Sequence, residues 1–333
     1  MSEFYRAWSK RERILENSSS GGVFTELAEL IIADHGVVVG ACQDQSTYEL
    51  KHIIVDRSED LWKIQRSKYY QSEAFVTFKA VKKLLEEGRK VLFSGTACQI
   101  AGLYAVLENV NTDQLITVDV LCHGVPSRKT FQEYVRCQER KYGRKIEEIH
   151  FRTKRIPWEN GGGTSMEIHF KGGEEKIIRD SVDEYYMAFK NNLILRESCY
   201  VCKFAGLNRI SDITLGDYWG VDRRTVPDFA MKKGISLLLV NTDKGRKIEK
   251  QLREKNILEC VAISPQDAIP YNRPLIQPWD RNPKRDLYLK KRGTKEFNEL
   301  VREILRREYR KEKIKRGIGL DRIRKIKQIL REI

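Results

Sequence analysis

Two hydrophobic rhythms alternate through the first half of the chain. Residues 22–34 (GVFTELAELIIAD) carry apolar positions at helical spacing, and 36–42 (GVVVGAC) and 50–55 (LKHIIV) are short runs rich in β-branched residues, which predict strands. A charged helix is expected at roughly 74–88. The run KVLF then reads as a strand, SGTACQ as a turn and IAGLYAVLE as a helix. LITVDVL repeats the strand, CHGVPS the turn, and residues 127–141 the helix. Strand, turn and helix in this succession predict an α/β core with parallel strands.

After Tyr142 the texture changes. Segments 146–152, 164–171 and 175–179 alternate polar and apolar residues, punctuated by Gly161-Gly162-Gly163 and Gly172-Gly173, the mark of antiparallel hairpins. SDITLGDYWG, ISLLLVN and ILECVAI supply further strands, with a helix at 243–255 between the last two. Five prolines between 265 and 283 predict an irregular surface wrap, and residues 295–333 are basic and helical. The expected fold is therefore α/β: a parallel or mixed sheet core, an antiparallel β insertion and a basic C-terminal helical tail. Its parts divide as 1–142, 143–290 and 291–333.

Composition narrows the function classes. The 333 residues are 41% hydrophobic and 33% charged, enough for a core and too mixed for wholesale disorder. No apolar run reaches the ~20 residues of a spanning helix, and the charged N-terminus is unlike a signal peptide. A cytoplasmic setting follows, in which seven cysteines are ligands or free thiols rather than disulfides. The net charge of +15 is lopsided: residues 281–333 hold 20 Lys/Arg against 8 Asp/Glu, leaving the body at +3. A nucleic-acid partner is thereby disfavoured. In the tail, Ile323, Ile326 and Leu330 fall at helical spacing among basic residues, which suits either packing on the body or peripheral attachment to an anionic inner leaflet.

Cys98 and Cys122 lie just past the ends of two successive parallel strands, where open α/β sheets bind ligands. Cys199 and Cys202 form a CxxC, two corners of a four-thiolate site that the strand-end pair would complete. Spacing alone leaves open zinc, an iron–sulfur cluster, a Cys98 nucleophile or plain buried thiols. Cys42, Cys137 and Cys260 read as core or surface thiols. Ser18-Ser19-Ser20-Gly21-Gly22 opens a helix and suits a phosphate, with an ordinary cap as the plainer reading. SKYYQS at 67–72 adds a cation, two aromatic faces and an amide.

SSSGGVFTELA, SKYYQS, GTACQIAGL, VDVLCHGVPS, CYVCKFAGLNR and SDITLGDYWG together resemble the family of the beta subunit of coenzyme F-420-reducing hydrogenase and dehydrogenase, in order and spacing, from about residue 12 to residue 290. The resemblance implies a flavoprotein that passes electrons between FAD and a [4Fe–4S] cluster, with residues 1–142 holding both and 143–290 supplying the CxxC. It implies Cys98, Cys122, Cys199 and Cys202 as cluster ligands and places Ser19, Ser20, Gly21, Gly22, Lys68, Gln71 and Thr96 in motifs that line the flavin. His123 becomes a candidate donor or proton carrier, and Asp217 and Trp219 candidates to pack near either group. The chain begins at what resembles the end of the cysteine-dense ferredoxin-like domain found in bacterial relatives, so one cluster is expected. Electrons would come from a separate carrier such as ferredoxin, and the substrate would be a small molecule or glycan-related. Two rival functions remain: a zinc-stabilised accessory in surface polysaccharide assembly, and an electron-transfer subunit serving a partner enzyme.

Overall fold

The computed structural model describes residues 2–158 and 162–317. Its framework is an eight-stranded mixed sheet in the order β11-β1-β10-β9-β5-β4-β2-β3. Along the chain these strands are β1 (Glu3–Ser9), β2 (Val37–Gln43), β3 (Leu50–Val55), β4 (Val91–Thr96), β5 (Leu115–Val120), β9 (Ile213–Asp217), β10 (Ser236–Val240) and β11 (Leu258–Ala262). The remaining three, β6 (Ile146–His150), β7 (Ser165–Phe170) and β8 (Glu175–Arg179), make a separate antiparallel sheet. Strands β2, β4, β5 and β9 run parallel as neighbours, and β3 on one side and β10-β1-β11 on the other pair antiparallel. The mixed sheet and the antiparallel insertion agree with the sequence pattern. No helix among the described residues is long and apolar enough to cross a membrane.

The parallel strands are almost wholly apolar because helices cover both faces. Helices α1 (Glu12–Glu16), α2 (Val23–Ala33), α3 (Phe75–Glu86), α4 (Ala97–Val106) and α5 (Arg128–Tyr142) fall where the spacing places four of them. Leu27, Ala28 and Ile31 of α2 pack on Val38, Leu92 and Val118. Val81 and Leu85 of α3 meet Val39 and Phe93 on the other face. A third core joins α5 to the small sheet through Phe131, Tyr134, Phe151 and Phe170, and takes in α6 (Glu184–Lys190).

One strand has no signature in the sequence pattern. Residues 3–9, which read as a charged terminus, form β1 and pair with both β10 and β11. Ala7 and Trp8 are buried, yet Arg6 and the flanking charges blur the alternation that signals a strand. Helix α6 is equally silent, since its EYYMAFK is buried nearly all round and shows no polar face. The boundary expected at residue 142 falls inside the large sheet, which takes β1–β5 from one side and β9–β11 from the other. The basic tail docks at least as far as Tyr309: Leu300, Val301, Ile304 and Leu305 are buried in the third core, Tyr309 packs against it, and Lys284 pairs with Glu308. Ile323, Ile326 and Leu330 lie outside the described residues.

Candidate functional site

The C-terminal ends of the parallel strands form one edge, and the cysteines gather there. Thr96 ends β4 and caps α4 with its side chain, while Gln99 closes the capping box. That cap aims the first turn of α4 outward, leaves Cys98 exposed and sets Thr96 Oγ1 3.1 Å from Cys98 Sγ. One strand over, β5 ends at Val120, in register with Thr96, and Cys122 follows two residues on. The Gly124 N–H donates to Cys122 Sγ at 3.3 Å, in a turn that Gly124 enters at a φ of +121°. A Cβ at Gly124 would lie 3.2 Å from that of Cys199, so glycine lets the two turns close on each other. The register is sealed by the Arg196 N–H to Val125 O and by the bridge between Pro126 and Leu195.

The CxxC arrives on α7 (Glu197–Tyr200) and the loop behind it. Arg209 holds that loop: it donates to the carbonyls of Phe204 and Gly206 and pairs with Asp119 of β5, both side chains being almost wholly buried. Burial pushes the Asp119 carboxyl up, against the pull of Arg209. Burial first, and then the neighbouring Cys199, Cys98 and Cys202, together push the Cys122 thiol up to about 12. Cys199 is raised the same way, first by burial and then by Cys98 and Cys202. All four sequence-predicted thiols thus share one electrostatic neighbourhood, which no single cysteine explains. Among the described residues no three cysteine sulfurs lie within 4.8 Å of one another. Four thiolates on a single zinc, each ~2.3 Å from the metal, stand closer than that. An iron–sulfur cluster that gives each thiolate its own iron would hold the four further apart, and these residues would suit that spacing.

The serine–glycine turn is engaged differently. Ser18 Oγ donates to Ile14 O, Ser20 Oγ donates to Ile235 O, and Ser19 Oγ accepts from the Ser67 N–H at 2.8 Å. Gly21 is pressed against the large sheet, where a Cβ would stand 2.3 Å from Ala7 O and 2.8 Å from Ser236 N. Gly22 caps α2 at a φ of +81°. The hydroxyls and glycines therefore build the fold first. Gln71 is exposed and donates its backbone N–H to Pro126 O, and Thr96 is spent on its cap.

Charge for an anion comes from elsewhere. Lys68 donates to Gln65 O, has no carboxylate partner among the described residues, and is lowered by burial to about 8. Lys154 reaches Ser20 O and Lys233 O, and is lowered to about 7 by burial and then by Arg152. Arg66 stands close enough to lower both lysines further. Arg152 is buried and bonded to Asp217 Oδ2 at 2.9 Å. Burial works against its charge, but Asp217 and Tyr69 outweigh it and raise its pKa. Arg152 Nε and Nη2, Asp217 Oδ1 and Trp158 Nε1 are buried without a hydrogen-bond partner among the described residues. Trp158 stacks on Trp219 at 4.7 Å, beside Ser20. Buried polar atoms left open beside two lysines that have no carboxylate ion pair among the described residues suit a phosphorylated, planar ligand. Lys154, Arg152, Arg66 and Trp158 carried no motif in the sequence; only two basic residues beside a strand end hinted at them.

His123 is held rather than free. Its ring lies 4.6 Å from both Phe189 and Trp279, Nε2 meets Asn192 Oδ1 at 2.8 Å, and burial lowers its pKa to about 4. Phe189 also touches Tyr69 at 5.3 Å, and Tyr69 lies beside Arg152. Packed aromatic rings thereby fill the space between the cysteine turns and the basic cradle.

Two family descriptions match the chain, both of the "Coenzyme F420 hydrogenase/dehydrogenase, beta subunit": its N-terminal part over residues 4–79 and its C-terminal part over residues 88–266. The first match takes in nearly all of β1, so these residues belong to the N-terminal part of that family and are not the remnant of a ferredoxin-like domain. No curated protein sequence matches the chain. Among solved structures, a chain of the F420-reducing [NiFe] hydrogenase complex from Methanosarcina barkeri, studied by xenon derivatization, aligns with a TM-score of 0.55 at 16% identity, over 96% of this chain and 94% of that one. At that identity the likeness is one of fold.

Proposed function

The chain belongs to the family of coenzyme F420 hydrogenase/dehydrogenase beta subunits, and on that premise we propose that it is an iron–sulfur flavoprotein oxidoreductase. Cys98, Cys122, Cys199 and Cys202 would hold a [4Fe–4S] cluster. Lys68, Lys154, Arg66 and Arg152, beside Ser19, Ser20, Gly21 and Gly22, would hold FAD. Bound there, the cluster supplies one-electron and the flavin two-electron chemistry. The observation that carries the reading is the convergence of four thiols from three separate segments on one sheet edge, with mutual electrostatic influence.

The chain's own residues have definable tasks in this proposal. Arg209 keeps the CxxC loop in place against β5. The lysines give an anionic ligand its countercharge, and a phosphate beside them restores the protons that burial disfavours. Asp217 keeps Arg152 oriented while leaving two of its nitrogen atoms for the ligand. Phe189, Tyr69 and the ring of His123 exclude water between the two sites.

A second reading has its own support. Cys98 is exposed, and Val120 on the neighbouring strand end and Val201 and Leu207 of the CxxC loop are exposed apolar residues. An apolar rim around an exposed thiol suits transfer of electrons to or from a protein partner, another subunit or a carrier such as ferredoxin. An anaerobic visible spectrum with iron, sulfide and flavin analysis tests the first reading. Broad thiolate–iron absorbance with bound flavin supports it, and one zinc with neither iron nor sulfide overturns it. Turnover of a reduced carrier without any partner enzyme separates the oxidoreductase from the pure transfer subunit.

A further inference from the structure

The small sheet carries polar chemistry on the face turned away from its core. Ile149, Met166, Ile168 and Phe170 point inward, so the two-residue period puts Glu148 and His150 of β6, Glu167 and His169 of β7 and Glu175 of β8 on the opposite face. The register sets His150 opposite Glu167, and His169 between Glu148 and Glu175. The imidazoles stand 5.3 Å apart. Glu148, His150 and His169 each offer a ligand atom within 4.8 Å of the others, and none is fully exposed. We propose that Glu148, His150 and His169 bind a late first-row divalent cation of the Zn²⁺ class.

Two imidazole nitrogens and one carboxylate oxygen are a donor set such ions prefer, with a fourth position left for water. The surroundings match the way a ligating histidine is held. His169 Nδ1 lies 3.0 Å from Glu175 Oε1, a carboxylate that fixes the ring through the nitrogen the metal does not use. His169 Nε2 touches no solvent and makes no hydrogen bond among the described residues, although Glu167 Oε1 is 3.0 Å away. It is the nitrogen left for a cation. His150 Nε2 stands 2.7 Å from Glu148 Oε1.

The other groups at the site define the rival account. Arg155 pairs with Glu167 and Glu175, and Arg66 Nη1 lies 2.5 Å from His150 Nδ1. Three carboxylates against two guanidinium groups leave one negative charge when both imidazoles are neutral. Either a divalent cation or a proton on histidine can answer it. A metal on His150 Nε2 moves the ring proton to Nδ1, so Arg66 must turn away. The cation would tie β6 to β7 just before Arg152 and Lys154, the residues β6 delivers to the basic cradle.

Co²⁺ titration of the full chain distinguishes the two accounts, using the Cys98→Ser, Cys202→Ser background to break up the four-thiolate set, with sulfur-to-metal charge-transfer absorption reporting any binding to the two thiols that remain. The expected result is one bound Co²⁺ with no sulfur-to-metal charge-transfer absorption. Changing both His150 and His169 to Asn should weaken it by ~100-fold or more, since even outer-shell changes cost 10–100-fold. Unchanged binding in that variant, or no binding in the parent background, overturns the proposal. If the double variant does not fold, Glu148→Gln serves instead. A loss of ~10-fold or more with an unchanged circular dichroism spectrum supports the site, and unchanged affinity leaves only the ion-pair lattice.

Discussion

At the cysteine turns each sulfur takes one local contact, Cys98 from Thr96 Oγ1 and Cys122 from the Gly124 N–H, and neither ties distant segments together. At the serine–glycine turn all three hydroxyls are already bonded to backbone groups. Both lie at the same edge of the sheet, and both open helices. The difference is in what stabilises each turn. Thr96 and Gln99 close one cap by themselves, so Cys98 has no structural duty there. The other turn must dock against β1, β10 and the Ser67 segment, and its polar atoms are consumed in doing so. A motif rich in apparent ligands therefore contributes mainly shape, and the anion chemistry passes to lysines and arginines brought in from the small sheet and from the segment around Arg66.

The contrast is most exposed to failure at Cys122. Cys122→Ser should abolish iron and sulfide binding, measured anaerobically by absorbance and chemical analysis, whereas Cys137→Ser, buried in the third core, should retain both. Next in size is Arg209→Ala. Removing one partner of a buried pair costs ~3–5 kcal/mol, so denaturation should show a large loss of stability together with reduced cluster content.

Lys154→Met probes the cradle directly. Loss of one charge-assisted contact is worth ~1.5–3 kcal/mol, so flavin affinity should fall roughly 10-fold or more with the fold intact. The lowered pKa values set a pH dependence. Lys154 near 7 and Lys68 near 8 lose their protons as pH rises in the ligand-free protein, and an anion must restore them. Flavin binding should then take up protons, and its affinity should be flat below pH 7 and decline from pH 7 to 9 in a fluorescence titration. The unliganded protein gains stability over the same range, because its unfolded lysines still hold protons that the folded ones have released. The smallest effect is expected for Ser19→Ala. It strands the Ser67 N–H and should cost about 1 kcal/mol of stability while changing flavin affinity less than Lys154→Met does.

Much of the architecture was legible because local rules decide it. The runs GVVVGAC, KVLF and LITVDVL needed only β propensity and burial on both faces to be strands, and Cys98 and Cys122 could be placed at strand ends from the strand–turn–helix order alone. Local rules failed where a segment owes its structure to distant partners. β1 is a strand because β10 and β11 flank it, although its own sequence is punctuated by charge. α6 shows no amphipathic face because it is buried on all sides.

The amino-acid sequence by itself determined the sheet strands of the parallel core, the four thiols that converge on its edge and the family to which the chain belongs. Only the tertiary structure decided which polar groups remain available there. Hydrogen-bonding capacity is finite, and a hydroxyl that satisfies a buried backbone group is no longer free for a ligand. Whether Ser19 is spent and Arg152 open depends on which atoms lie within about 3 Å of them, and those atoms come from segments 48 and 65 residues away.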